Sequence, residues 1–222
     1  MNLNEFANLT SISRKVLMVM DQNSIVLRSA NPTVDEGLIC GHYLDEVAEG
    51  FFRFMLGSKF AEIIARAYPR PDHSYSFQNV VYAEYDKRIV GMVLGFTAEQ
   101  HHSFSNQPLK EAAGIRVLRM TAVNILCAPM LRILKTITDG DYYILSMAVD
   151  RKFRDRGIGT ILMDSVEKRA RASGSTRLSL DVSAKNEGAC RLYERRGMTI
   201  ESQWPKRIPL PGVNFYRMVK SL

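Results

Sequence analysis

Residues Tyr142–Gly159 read YYILSMAVDRKFRDRGIG and run on as TILMDSVEKRARASG to Gly174. The apolar run predicts a strand, the charged residues after it a turn, and Gly157 and Gly159 the opening of a helix. The first N–H groups of a helix have no partner inside it, and the helix dipole is positive at that end. An anion placed there is stabilised by both effects. Glycines lack a Cβ, so a ligand can come close to the backbone. Arg151, Lys152, Arg154 and Arg156 add positive charge beside it. The stretch points to a phosphate-bearing cofactor, and so to an enzyme.

Three phosphate loops compete for this segment. A P-loop closes with Gly-Lys-Ser/Thr, and here Thr160 follows Gly159 with no lysine, so that reading fails. A dinucleotide-binding turn needs G-x-G-x-x-G, and Leu162 stands where the third glycine belongs. Asp181 lies roughly 20 residues on, where a ribose-binding acid would sit, which keeps this reading as the runner-up. The third pattern is R-x-x-G-x-G, from Arg154 through Asp155, Arg156, Gly157 and Ile158 to Gly159. Downstream, Leu180–Met198 read LDVSAKNEGACRLYERRGM: a strand, an Asn, a short helix carrying Leu-Tyr-Glu, then Gly and a hydrophobic residue. The two motifs, in this order and at this gap, resemble the GNAT family of N-acetyltransferases. The second is similar to the ribosomal-protein N-acetyltransferase branch. The resemblance covers 142–198 in detail and 25–222 through strand order alone.

The resemblance implies an α/β fold with a mixed, mostly antiparallel central sheet flanked by helices. It implies acetyl-CoA as co-substrate, no metal, and an amine acceptor on a small molecule or a protein that attacks the thioester directly. Backbone groups of Met147 and Val149, with Ala148 between them, would bind the pantetheine arm. The N–H groups of Arg156–Thr160 would hold the pyrophosphate. Asn186 and Ala189 would touch the cofactor, and Tyr193 would protonate the departing thiolate. Taken alone, Asn186 reads equally as a helix cap, and Tyr193 as a core tyrosine on an amphipathic helix. Asp181 stands where the ribosomal branch carries a Glu base. It reads evenly as a base acting through water or as a strand aspartate paired with a basic neighbour such as Arg177. Glu84 and Glu49 are further base candidates. Cys190 has no histidine near it in sequence and reads as packing rather than as a nucleophile. A non-catalytic acyl-CoA-binding or partner-binding module is the alternative from another class.

Composition sets the outer bounds. The chain has 222 residues, 46% hydrophobic, which suits one domain with a sizeable core. We expect an extension over 1–23 and a single domain over 24–222. No apolar run approaches the ~18 residues of a membrane span. Val16–Met20 is too short for a signal segment, so a cytoplasmic protein without membrane contact is expected. Cys40, Cys127 and Cys190 lack C-x-x-C spacing, which argues against disulfides and zinc. His101-His102 is the one pair with metal-binding potential and reads as a solvated loop. The net charge of +7 gathers at 151–156 and 168–171. The first cluster belongs to the phosphate loop and the second to a solvated helix face, so nucleic acid is not the expected partner.

Along the chain, Ser24–Ala30 alternates as a strand, and Asn31-Pro32 reads as the cap and first position of a helix. Helical periodicity covers Tyr43–Val47 and Phe51–Ala67, and Tyr68–Asp72 breaks it. Asn79–Tyr85 and Arg88–Thr97 form a hairpin across Asp86-Lys87. Residues 98–140 read as an inserted helix or two, a packing layer in preference to a substrate lid or a dimer face, with a homodimer left open. Strands follow at Tyr142–Val149, Thr176–Val182, Met198–Trp204 and Val213–Leu222, with a helix over Asn186–Arg196.

Overall fold

The computed structural model describes residues 25–128, 136–205 and 214–222. The expected extension over 1–23 lies outside them. Seven strands form one sheet in the order β1-β2-β3-β4-β5-β7-β6. These are β1 (Val26–Ser29), β2 (Val80–Tyr85), β3 (Arg88–Thr97), β4 (Asp141–Val149), β5 (Arg177–Ser183), β6 (Thr199–Trp204) and β7 (Phe215–Ser221). Neighbouring strands are antiparallel except β4 and β5, which run parallel. The mixed, mostly antiparallel sheet is the one expected. The β2–β3 hairpin turns at Asp86 and Lys87, both at positive φ (49° and 59°), the backbone that matches strand twist in a two-residue turn.

The sheet is covered on both faces, so its central strands bury both sets of alternating side chains. On β4, Tyr143 joins one apolar cluster while Tyr142 and Ile144 join the other. The Tyr143 face carries α1 (Val34–Val47), α2 (Phe51–Leu56) and α3 (Phe60–Ala67). The opposite face carries α7 (Ile158–Ala172) and α8 (Glu187–Arg195).

Two expectations along this stretch are corrected. The cap of α1 is Thr33, whose Oγ1 accepts from the Glu36 N–H at 3.3 Å. Asn31 instead donates to the Glu36 carboxylate from its backbone N (2.7 Å) and from Nδ2 (2.8 Å). The T-x-x-E spacing outweighs the proline because it satisfies donors at both ends of the first turn. The helical run 51–67 is broken at Gly57, which takes φ 81°, so α2 and α3 are separate helices.

Residues 98–126 fold into three helices rather than one or two: α4 (Ala98–Ser103), α5 (Gln107–Ala113) and α6 (Val117–Leu126). Thr97 and Gln100 close a capping box at the start of α4. Leu109, Ala113, Met120 and Val123 pack into the core, so the inner side is the expected packing layer. The outer side of α6 is exposed and apolar. Among the described residues no helix is long and apolar enough to cross a membrane.

The seat of α1 on α3 fixes where the C-terminal end of α1 meets the sheet. A Cβ on Gly37 would stand 2.7 Å from Ala65 Cα and 2.8 Å from Tyr68 Cβ. Both neighbours are rigid, so the helices must separate to admit it. Gly37→Ala is expected to destabilise the fold by about 1–3 kcal/mol, measured as a lower denaturant midpoint at unchanged slope.

Candidate active site

β4 and β5 are paired only from Asp141↔Arg177 to Ile144↔Leu180. Beyond Ile144 they part. On the other side of β4, Gly95 faces Ile144 while Leu94 faces Ser146, so Leu145 is an extra residue. Such a bulge bends its strand and sharpens the twist. β5 meanwhile stays paired with β7 as far as Ser183. The gap is a cleft of about 770 Å³. β4 from Ile144 to Val149 forms one wall, and β5 from Leu180 to Ser183, with α8, forms the other. Gly157–Thr160 close one end. The β5-facing backbone groups of the far half of β4 have no strand partner.

The turn after β4 is built by local bonds. Asp150 Oδ1 accepts from the Lys152 N–H at 2.8 Å and starts a single helical turn over Arg151–Phe153. Asp155 (φ 60°) and Gly157 (φ 80°) then swing the chain into α7. The first intrahelical bond runs from the Ile161 N–H to the Gly157 carbonyl at 3.1 Å. The N–H groups of Gly157, Ile158, Gly159 and Thr160 are therefore the orphan donors of this helix. A Cβ on Gly159 would reach Leu192 Cδ2 at 3.0 Å, so α8 lies close against the loop. Lys185, Arg191 and Arg195 line the opposite wall. Free N–H groups, a Cβ-free approach and facing cations make a donor set for a polyphosphate.

Most of the residues singled out from the sequence meet in this cleft. Met147, Ala148, Val149, Arg154, Asp155, Gly157, Ile158, Gly159, Thr160, Asp181, Asn186, Ala189 and Tyr193 all line it. The Arg156 side chain does not, and lies over the Phe153 ring at 5.4 Å. Arg154 turns back from the helix start, donating to the Val149 carbonyl (3.1 Å) and to Glu46 Oε1 (3.0 Å). Asn186 caps α8, its Oδ1 accepting from the Ala189 N–H at 3.2 Å. Tyr193 is buried in the cleft wall, and burial pushes its phenol well above the ordinary tyrosine range, so it holds its proton at neutral pH. Burial also raises the Cys190 thiol, which keeps it from acting as a thiolate.

Asp181 is the centre of a buried ion pair. Arg217 donates to it through Nε and Nη2, each at 2.7 Å, and the Tyr143 hydroxyl donates to Oδ2 at 2.8 Å. Arg217 also donates to the Thr136 carbonyl at 2.6 Å and lies over the Tyr143 ring at 5.6 Å. Burial and the Asp181 charge raise the Tyr143 phenol well above its usual range. The partner suggested from sequence, Arg177, is bound instead to Asp141 and Glu201. Arg217 lies 36 positions from Asp181 in sequence and meets it only through strand pairing. Glu84 pairs with Arg28 at 2.7 Å and does not line the cleft. Glu49 does line it, at φ 51°.

Sequence reasoning missed several lining residues. Glu46 accepts from both Arg151 and Arg154 at 3.0 Å, and no local pattern marks it. The Ser146 hydroxyl is buried in the β4 wall without a partner among the described residues. Lys185, Arg191 and Arg195 could have been read as one side of the α8 region, facing the glycine loop. His101 stacks on Phe96 at 5.6 Å, and among the described residues no group of three or more metal-ligating side chains gathers.

Residues 44–198 match the sequence profile described as the acetyltransferase (GNAT) family. Curated proteins give no match. Among solved structures, the chain is similar to a crystal structure of an acetyltransferase (21% identity, covering 88% of this chain and 98% of that one, TM-score 0.63). It is similar to an N-acetyltransferase from Staphylococcus aureus Mu50 (18% identity, 88% and 100% covered, TM-score 0.62). It is also similar to a chain of the NatC complex bound to Gag peptide and CoA (13% identity, 90% and 99% covered, TM-score 0.53). At these identities the likeness establishes the fold.

The Asp181–Arg217 pair closes the sheet beside the cleft, so breaking it should be felt throughout. Arg217→Ala leaves a buried carboxylate without its cation and should cost about 3–5 kcal/mol in stability. The double variant Asp181→Leu/Arg217→Met, which removes both charges, should recover most of that loss. Chemical denaturation of the three proteins measures it.

Proposed function

The chain belongs to the GNAT acetyltransferase family, and from that premise we propose that it transfers an acetyl group from acetyl-CoA to a primary amine on a small molecule or protein. On the pattern of Leu180–Met198 we assign it to the ribosomal-protein branch of the family, working in the cytoplasm. One observation carries the reading. The gap between β4 and β5 is lined at once by Gly157–Thr160, where α7 begins with unpaired N–H groups, and by Tyr193, whose phenol is raised by burial.

The residues present fit coenzyme A. The glycine loop offers unpaired donors to phosphate, Lys185, Arg191 and Arg195 line the same cleft, and the unpaired edge of β4 suits an amide-bearing arm. When bound, acetyl-CoA supplies an acetyl group activated as a thioester. The N–H groups of Arg156–Thr160 hold the phosphates, and the backbone of Met147 and Val149 orients the arm. An unpaired N–H of that edge would supply the hydrogen bond that stabilises negative charge on the thioester oxygen. The Tyr193 hydroxyl gives its proton to the departing sulfur. Both oxygens of Asp181 are engaged by Arg217 and Tyr143. It therefore acts by fixing the closed end of the cleft, and the amine proton leaves through water or Glu49 at the mouth.

Two variants test the two halves of this reading. Tyr193→Phe should bind CoA as the wild type does by calorimetry, while kcat, followed as thiol release with a panel of amines, falls about 10²–10⁴-fold. Wild-type protein that binds CoA but releases no thiol with any amine would mark a non-catalytic acyl-CoA-binding module. Gly157→Asp sets a carboxylate at the phosphate site and should weaken CoA binding on the order of a hundredfold, with the fold kept as judged by circular dichroism. Unchanged affinity would remove the phosphate assignment.

A further inference from the structure

The outer side of α6 is apolar and uncovered among the described residues. Leu118, Ala122 and Ile125 recur at intervals of four and three, so they share one side of the helix. Leu118 and Ile125 are each 71% exposed, Leu126 73%, and Ile115, in the turn before the helix, 83%. Met120 and Val123 point the other way and are buried. α2 extends the same surface. Arg119 donates from Nε and Nη2 to the Phe54 carbonyl at 3.0 and 2.8 Å, and Phe54 is 49% exposed. Single exposed apolar residues are ordinary, whereas a contiguous group marks a contact surface.

The described charged residues within α2, the turn after it, α6 and the turn before it are basic. The sequence carries no acidic residue between Glu49 and Glu62, or between Glu111 and Asp139. Among the described residues of those two stretches the charged side chains are Arg53, Lys59, Arg116 and Arg119, and Arg53 pairs with Asp45 of α1 at 3.2 Å. An ordinary solvated helix face interleaves both signs. Here the charged residues that share 50–61 and 112–128 with the outward leucines and isoleucines are all basic.

We propose that the α2–α6 face docks on an anionic lipid surface. Phe54, Leu118, Ile125 and Leu126 enter the boundary between headgroups and acyl chains, and Lys59 and Arg119 lie among the headgroup phosphates. An apolar helix face with a basic border is the chemistry of interfacial attachment, and juxtamembrane cations add attraction to anionic leaflets. A second copy of this chain suits the face less well. A two-fold dimer sets each patch against itself, bringing two positive borders together. No described helix is long enough to span a bilayer, so attachment stays at the surface. The face is separate from the cleft, and the inference stands whether or not the amine chemistry holds.

Cosedimentation of the full chain with vesicles tests it. One set is phosphatidylcholine alone, and the other contains about one third phosphatidylglycerol. The protein should pellet with the anionic vesicles only, and added salt should release it. Leu118→Glu/Ile125→Glu changes exposed positions, so the thermal midpoint should hold, while vesicle affinity drops about tenfold or more. Failure to bind anionic vesicles, equal binding to neutral ones, or full binding by the double variant would each overturn the proposal. So would a wild-type dimer in sedimentation equilibrium that the double variant turns into a monomer, since the face would then belong to a second copy.

Discussion

The parting of β4 from β5 is the constraint on which the rest of the structure depends. A sheet normally satisfies the backbone groups of each interior strand on both sides. Here a strand in the middle of the sheet loses its partner after Ile144 and leaves a row of donors and acceptors facing a gap. Water can fill such a gap, and so can an extended, amide-bearing ligand. The extra residue at Leu145 makes the parting possible. Without it β4 would keep the direction set by β3 and could stay in register with β5. Because the bulge lies between Gly95 and Leu94 on the β3 side, the remainder of β3–β4 pairs without interruption, and the glycine loop is delivered rigidly to the end of the gap.

An opening in a sheet needs a counterweight, and the Asp181–Arg217–Tyr143 group supplies it. Tyr143 lies on the last paired stretch of β4, Asp181 on β5 just past the parting, and Arg217 on β7. Three strands are thereby tied at the vertex by charge-assisted bonds of 2.7 and 2.8 Å. The ion pair is buried, so its net contribution to stability is small compared with apolar residues of the same volume. Its merit is directional. Apolar side chains would tolerate sliding of one strand against another, whereas a bidentate guanidinium–carboxylate pair fixes both register and angle.

Strand order, the two motifs and the family were legible in the sequence because they rest on local signals. A glycine pair after an apolar run, an Asn three positions before the first bonded N–H of a helix, and a two-residue hairpin turn all act over a few residues. The parts that were not legible depend on pairing between distant segments. Arg177 is the basic residue near Asp181 in sequence, yet residues four apart on one strand do not meet, and the cross-strand partner Arg217 is the one that reaches it. The cap of α1 lies two residues past the Asn-Pro signal because the T-x-x-E signal beside it is the stronger. The split of 51–67 at Gly57 is hidden in the sequence by continuous apolar periodicity, which a single left-handed glycine interrupts without altering the pattern around it.

Charge at the phosphate loop shows why sequence clusters alone do not define a site. Four cations crowd Arg151–Arg156, yet they are not equivalent. Arg156 is laid over Phe153, while Arg151 and Arg154 share one oxygen of Glu46 at the end of α1. These pairs are largely exposed, so each is worth little in net stability, about 0–1 kcal/mol. The shared Glu46 oxygen holds the two long guanidinium side chains together beside the loop. It also links the loop to α1, whose seat on α3 is set by the glycine contact at Gly37. Packing on the far side of the sheet from α7 therefore governs where Arg151 and Arg154 stand at the mouth of the cleft, and their position depends on α1 as much as on the loop that carries them.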